Sequence, residues 1–326
     1  MNSRRRFLGS SAGALALTAL PGWLHAQTPD STRILVGFPP GGTVDAVARR
    51  IADKLRGSHA KAVVVDNKPG AGGRLAVEEL KRSPNDGSTL LITPAAMITL
   101  YPHLYTKLAY GIEDVTPVST VAQVVFALGV GPAVPESVKT VKDFLAWAKA
   151  NPTQASYGSP GAGTPPHMVA ALLSRESGVE LNHVPYRGSA PGIQDLLGGQ
   201  VPAFSSPIGD YLPHLKSGKL RVLATSGPKR SRFAPDVPTY AEQGFKALEM
   251  VEWYGMFLPA KAAPDTAGRI AAALRTAMSS PDMAEGLAAF GMEVSVNTPA
   301  ELTRMVRDEN AAWAPIVKRV GFTPES

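Results

Sequence analysis

The apolar positions of the chain open with a short β-branched and aliphatic run, Ile34-Leu35-Val36, and continue at helical spacing through Val44, Val47, Ala48, Ile51, Ala52 and Leu55. The run suits a buried parallel strand, and the spacing marks one face of a helix. Between them lies Gly37-Phe38-Pro39-Pro40-Gly41-Gly42. Thr43 is placed to cap the helix, and Asp45 falls in the first turn, where the helix dipole favours a carboxylate. A strand, a glycine turn and a helix leave free backbone N–H groups past the carboxyl end of the strand, and such groups bind anions.

The pattern then repeats. Residues 63–66 predict a second strand, residues 67–73 a flexible turn and residues 75–82 a helix; Asn85-Asp86-Gly87 turns the chain into a buried strand at 89–93. Thr93-Pro94-Ala95-Ala96 is a third loop at a strand's carboxyl end. Strands alternating with helices over short links predict a parallel sheet covered on both faces. Residues 118–130 are a long apolar run of strand character, closed by Pro132 and Pro135. Helical spacing resumes at Val141, Phe144, Leu145 and Ala148 and stops at Asn151-Pro152.

A second anion-type turn follows a strand at 155–157. It reads Gly158-Ser159-Pro160-Gly161-Ala162-Gly163-Thr164, with Thr164 as cap, Pro165 in the first helical position, a helix to Ser174 and Gly178 ending it. Further strands are expected at 182–186, 201–206, 220–224 and 250–258, with a short helix between Arg187 and Gly198. Residues 229–237 form a basic, proline-bearing surface loop, and the C-terminal part is helical at 266–278, 283–290 and 301–320.

Neither turn is a nucleotide fingerprint. Gly37-x-x-x-Gly41-Gly42 fails G-x-G-x-x-G, although Asp66 ends the second strand where a ribose-binding acid would stand. Gly158 to Gly163 has P-loop spacing, but Thr164-Pro165 stand where Lys and Ser/Thr are required. Ser159 lacks the glycine of a nucleophile elbow two residues before it, where Tyr157 stands. His167 in the first helical turn reads as a local packing or hydrogen-bonding residue. The six histidines show no metal-ligand spacing, no cofactor is implied, and no carboxylate, histidine and nucleophile fall together as a catalytic set. The residues therefore read as anion-binding turns and not as a catalytic site.

Composition narrows this. Ser3-Arg4-Arg5-Arg6-Phe7-Leu8, an apolar stretch from Ala12 to Leu20 too short to span a bilayer, and Leu24-His25-Ala26 read as a twin-arginine signal peptide cleaved near Ala26. The mature chain then keeps about 300 residues, enough for two domains of ordinary size. Loss of Arg4, Arg5 and Arg6 lowers the formal charge from +6 to +3. That balance suits an anionic small molecule and falls short of a nucleic-acid surface. There is no cysteine, so neither a disulfide nor a lipid-anchored N-terminus is expected.

Seven segments in series carry a resemblance: FPPGGTVDAVAR, VVDNKPGAGGR, PNDGSTLLI, YGSPGAGTPPH, HVPYRGSAPGIQDLLGGQV, LPHLKSGKLRVLA and DVPTYAEQGF. With their order and spacing kept from Ile34 to Val320, the chain resembles the Bug-type periplasmic solute receptors of the tripartite tricarboxylate transporter family. The resemblance implies an α/β, two-lobed periplasmic binding protein, type II-like, each lobe a mainly parallel sheet flanked by helices, with crossing strands at 118–130 and 250–258. Lobe 1 would take residues 33–125 plus 255–326, and lobe 2 residues 126–254. It implies a periplasmic monomer that delivers a small organic carboxylate to the membrane components of such a transporter; the alternative is a secreted or periplasmic enzyme acting on a small carboxylate in the same cleft.

The carboxylate is expected between the two glycine turns, held by backbone N–H groups of Gly41, Gly42, Thr43, Gly161, Ala162, Gly163 and Thr164 and the hydroxyls of Thr43, Ser159 and Thr164. Pro40, Thr93 and Ala95 belong to the same site, Phe38 and Phe204 supply apolar walls, and Ser205 and Ser206 meet the ligand's far end. Relatives that bind amino acids tend to carry an Asp after the strand at 201–205; here Ser205-Ser206-Pro207 stand there, with no acid before Asp210. A buried ammonium without a counter-charge is costly, so the expected ligand is a dicarboxylate, aromatic ones included.

Overall fold

The computed structural model describes residues 30–322, so the signal segment lies outside the described residues. In chain order the elements are β1 Ser31–Val36, α1 Thr43–Leu55, β2 Ala62–Asn67, α2 Arg74–Arg82, β3 Thr89–Pro94, α3 Ala96–Thr99, α4 Tyr101–Leu104 and β4 Val115–Val130. There follow α5 Val141–Ala150, β5 Ser156–Ser159, α6 Pro165–Ser177, β6 Asn182–Pro185, α7 Ser189–Leu197, β7 Ala203–Pro207 and β8 Arg221–Thr225. The chain ends with β9 Val251–Pro259, α8 Pro264–Met278, α9 Pro281–Ala288, β10 Glu293–Val294 and α10 Pro299–Val320.

The strands run β2-β1-β3-β9-β4-β7-β5-β6, with β8 and β10 also pairing to β4. Each flank is parallel (β1 with β2 and β3, β5 with β6 and β7), whereas β9 and β4 run antiparallel to their neighbours. β4 belongs to both halves of the sheet. From Val115 to Val125 it pairs with β9, and from Phe126 to Val130 with β7 and β8. Its first residues include Pro117, which the apolar pattern had left outside the strand; the register shifts between Pro117 and Ser119, where a missing N–H is tolerated.

Alternation along β1 explains why Ile34, Leu35 and Val36 are all fully buried. Ile34 and Val36 face Val47, Ile51 and Leu55 of α1 and Ile270 and Leu274 of α8, while Leu35 faces Val77 and Leu80 of α2 and Leu302 and Val306 of α10. Helices on both faces leave no polar side for the strand to show. The second half has its own core of Phe126, Leu128, Phe144, Leu172, Leu173 and Leu223. α10 also reaches across to α6: Arg319 Nη1 lies 3.0 Å from Glu176 Oε1, and Met168 of α6 packs with Trp313 and Val317.

Four helix starts shift for a physical reason. Gly42, in extended conformation, is the residue before α1, and Thr43 is already helical rather than the cap. The three C-terminal helices begin at Pro264, Pro281 and Pro299, each two residues ahead of the apolar pattern, because proline fits the first helical position without needing an N–H partner.

Candidate functional site

The two halves of the sheet enclose a cleft of about 450 Å³. Its floor is made where the two crossing strands pair. Val124 lies opposite Glu252 and Ala122 opposite Tyr254, and Val124, Phe126, Glu252 and Tyr254 all line the space. One wall is Phe38, Pro39, Gly42, Thr43 and Val44 from the first turn, with Pro94, Ala96, Met97 and Tyr101 behind β3. The other is Pro160, Thr164, Pro165 and Pro166 from the second turn, Gly188 and Ser189 at the start of α7, and Pro207, Gly209 and Asp210 after β7.

The first turn delivers unoccupied donors. Gly41 N–H is taken by Asp45 Oδ2 at 2.9 Å, and Asn67 Nδ2 donates to Asp45 Oδ1 at 2.9 Å. Burial pushes the Asp45 carboxyl up, but bonds from Arg49, Gly41 and Asn67 outweigh it and hold the acid below its ordinary value. Asp45 thus stays charged as an internal anchor of the turn. Gly42 N–H makes a long 3.4 Å bond to Pro39 O. The N–H groups of Thr43 and Val44 have no acceptor among the described residues, as the first helical turn requires, and both residues face the cleft. Adjacent donors at the positive end of a 13-residue helix are the arrangement that suits an anion.

The second turn spends most of its donors on itself, although the N–H of exposed Ala162 has no acceptor among the described residues. Gly163 N–H donates to His167 Nδ1 at 3.0 Å, and Thr164 Oγ1 donates to Gly161 O at 2.8 Å. Ser159 Oγ lies 2.8 Å from His183 Nε2 and 3.4 Å from Gly161 N. The His167 and His183 rings stack with centroids 3.8 Å apart. Burial pushes both imidazoles down to about 4, the neighbouring ring adding to the shift of His167, so both are neutral at pH 7. The first two helical positions here are Pro165 and Pro166, which carry no N–H.

Of the residues expected at the site, Phe38, Gly42, Thr43 and Thr164 line the cleft. Pro40, Gly41 and Ala162 are exposed outside it, Gly161 is half-buried, and Gly163 is buried in the turn. Thr93 and Ala95 are buried in the core, and their neighbours Pro94 and Ala96 face the space instead. Ser159 is fully buried, so its approach to His183 orients the turn and offers no nucleophile to the cleft. Ser205 is committed to Pro166 O at 2.8 Å. Phe204 is not an apolar wall. Its ring fills the space over Gly158 and Gly192, where a Cβ would stand 2.4 and 2.0 Å away, and the walls are Phe38, Phe126 and Phe290.

The far end carries acids that the sequence reading passed over. Ile208–Asp210 is a turn of 3-10 helix, which folds Asp210 back so that the Ser206 hydroxyl donates to it in a short bond. Ser189 Oγ stands 3.1 Å from Ser206 Oγ. Burial raises the Asp210 carboxyl against the bonds from Ser206 and Ser189. Glu252 is 8% exposed, its Oε1 accepts Ala96 N–H at 3.3 Å, and burial with the charge of Glu309 pushes it up to about 8. No Lys, Arg or His lines the cleft among the described residues.

Residues 47–322 match the model of the tripartite tricarboxylate transporter family receptor. The chain is 32% identical to protein BugT of Bordetella pertussis over 294 residues, 89% of each chain. Among solved structures, it superposes on the periplasmic binding protein BugD with a TM-score of 0.77 and 28% identity, covering 90% of this chain and 99% of that one. A structure of R. palustris Rpa4515 with adipate gives a TM-score of 0.80 at 30% identity, covering 90% and 98%.

Proposed function

The chain belongs to the tripartite tricarboxylate transporter receptor family, and from that premise we propose that it captures a small dicarboxylate in the periplasm and hands it, chemically unchanged, to membrane components of such a transporter. Its similar proteins are solute-binding receptors, and one of them was solved with adipate. The observation that carries the proposal is the pair of N–H groups on Thr43 and Val44 without an acceptor among the described residues, in a cleft whose other wall residues are largely proline, aromatic and aliphatic, with Ser189, Asp210 and Glu252 at its far end. One ligand carboxylate sits on those donors, with the Thr43 hydroxyl at its side, and the carbon skeleton lies along Phe38 and Phe126. The donors are neutral, so the empty cleft buries no unpaired cation.

In this reading the twin-arginine segment exports the chain, and residues 33–125 plus 255–326 close against residues 126–254 by a hinge in β4 and β9. A thermal-shift screen over mono- and dicarboxylates, adipate included, tests the assignment, since a ligand of the folded state raises stability by about 2.7 kcal/mol at one hundred times Kd. Small-angle scattering should show compaction with a saturating hit, and mass spectrometry should return the acid intact. A screen with no carboxylate hit, or a hit consumed during incubation, contradicts the receptor reading.

A further inference from the structure

A dicarboxylate poses a problem for this cleft: its second negative charge finds no cation there, and it enters a space that already holds two acids, Asp210 and Glu252. We propose that Glu252 sets specificity at that end of the site, as a neutral carboxylic acid that donates its proton in a hydrogen bond to the ligand's second carboxylate. This role rests on the receptor reading above.

The geometry separates Glu252 from the acid nearest it in charge. Glu309, on α10, receives Trp253 Nε1, Thr99 Oγ1 at 3.0 Å and Trp313 Nε1 at 3.3 Å. Burial pushes Glu309 up as well, but three side-chain donors oppose it, so the negative charge of the pair belongs on Glu309. Glu252, enclosed and beside that charge, keeps the proton, in agreement with a value pushed up to about 8. The other titratable groups facing it are Tyr254 on its own strand, Asp210 after β7 and Tyr101 on the cleft wall. None is a base that would draw the proton away. A buried neutral acid gives a carboxylate a strong donor and adds no charge to the cavity. The proton is shared between Glu252 and the ligand oxygen; no bond to carbon changes.

The rival is a ligand ammonium paired with ionised Asp210 and Glu252, and pH separates the two. Above about 8 the acid donor must recover its proton to bind, so affinity should fall about tenfold per pH unit; an ammonium would bind better as Glu252 ionises. The first readout needs no ligand. Carboxyl-labelled glutamate in the full mature protein should show one signal titrating well above the ordinary glutamate range and absent from Glu252→Gln. A Glu252 signal titrating in the ordinary range overturns the proposal.

The second readout is adipate affinity by calorimetry from pH 6 to 9.5 in two buffers of different ionisation heat. The expected result is one proton taken up per adipate above pH 8, and in Glu252→Gln a weaker affinity that no longer depends on pH, because an amide N–H donates less strongly than a carboxylic acid and does not titrate. Affinity that rises with pH, an unchanged pH profile in Glu252→Gln, or preference for an ω-amino carboxylate over adipate overturns the role of Glu252 and leaves the carboxylate receptor intact. No carboxylate binding at any pH, with Glu252 titrating high, defeats the receptor reading itself.

Discussion

The two glycine turns of this molecule look alike as sequence and differ as chemistry. Each follows a parallel strand and precedes a 13-residue helix, one at Thr43–Leu55 and one at Pro165–Ser177. At the first, Thr43 and Val44 begin the helix, their N–H groups have no acceptor among the described residues, and both residues line the cleft. At the second, Pro165 and Pro166 begin it, and Gly163 N–H is spent on His167. The glycines bend both chains; the residues in the first helical turn decide whether an anion can be held. One wall of the cleft is therefore a donor and the other a shaped, largely apolar surface.

The sharpest way to break this comparison is to give the first turn the second turn's residues. Thr43→Pro with Val44→Pro removes both donors at positions where proline fits the helix, since Gly42 is already extended. Two bonds to a charged group are lost, about 3–6 kcal/mol together. Calorimetry should find carboxylate binding weakened a hundredfold or more, with unfolding little changed; Thr43→Val, which keeps the N–H, should lose far less.

The second turn should instead announce itself in stability. His167 and His183 have folded values near 4, below the unfolded value of 6.5. The unfolded chain binds more protons between those limits, so their contribution is present above about pH 6.5 and is lost as pH falls toward 4. Thermal unfolding should show that decline, and His167→Gln with His183→Gln should flatten it. Smaller again is Gly163→Ala. Gly163 has φ +73° and a Cβ there would stand 3.0 Å from Leu104 Cδ1, so about 1–2 kcal/mol of stability should go, with binding changed less than by the Thr43 and Val44 prolines. The smallest effect is Arg187→Ala: the residue is exposed and outside the cleft lining, and affinity should stay within about twofold.

Much of the fold was legible because buried parallel strands and one-faced helices write their period into the chain. Helix starts were read two residues late wherever Pro264, Pro281 and Pro299 precede the first apolar contact. The two-residue strand Glu293–Val294 and the short helices Ala96–Thr99 and Tyr101–Leu104 have no period long enough to see. At the first turn, Val44 is a donor outside the expected set, and the expected Gly41 N–H is taken by Asp45; at the second, Pro165 reads as a helix starter while its missing N–H goes uncounted. Asp210 follows Ser206 by four residues, in a segment with no period of its own; only the turn at Ile208–Asp210 brings the two together. Glu252 was hidden in a strand read as apolar. A lone carboxyl in such a strand was the available signal, because an acid is rarely buried without a task.

The account turns on where the ligand's first carboxylate lies, and a crystal structure of the mature protein with a bound acid tests it most directly. Its oxygens should stand about 2.7–3.2 Å from the backbone nitrogens of Thr43 and Val44, with no comparable N–H contact from residues 161–163. A carboxylate seated on the second turn or on Arg187, with the N–H groups of Thr43 and Val44 left to solvent, would contradict it.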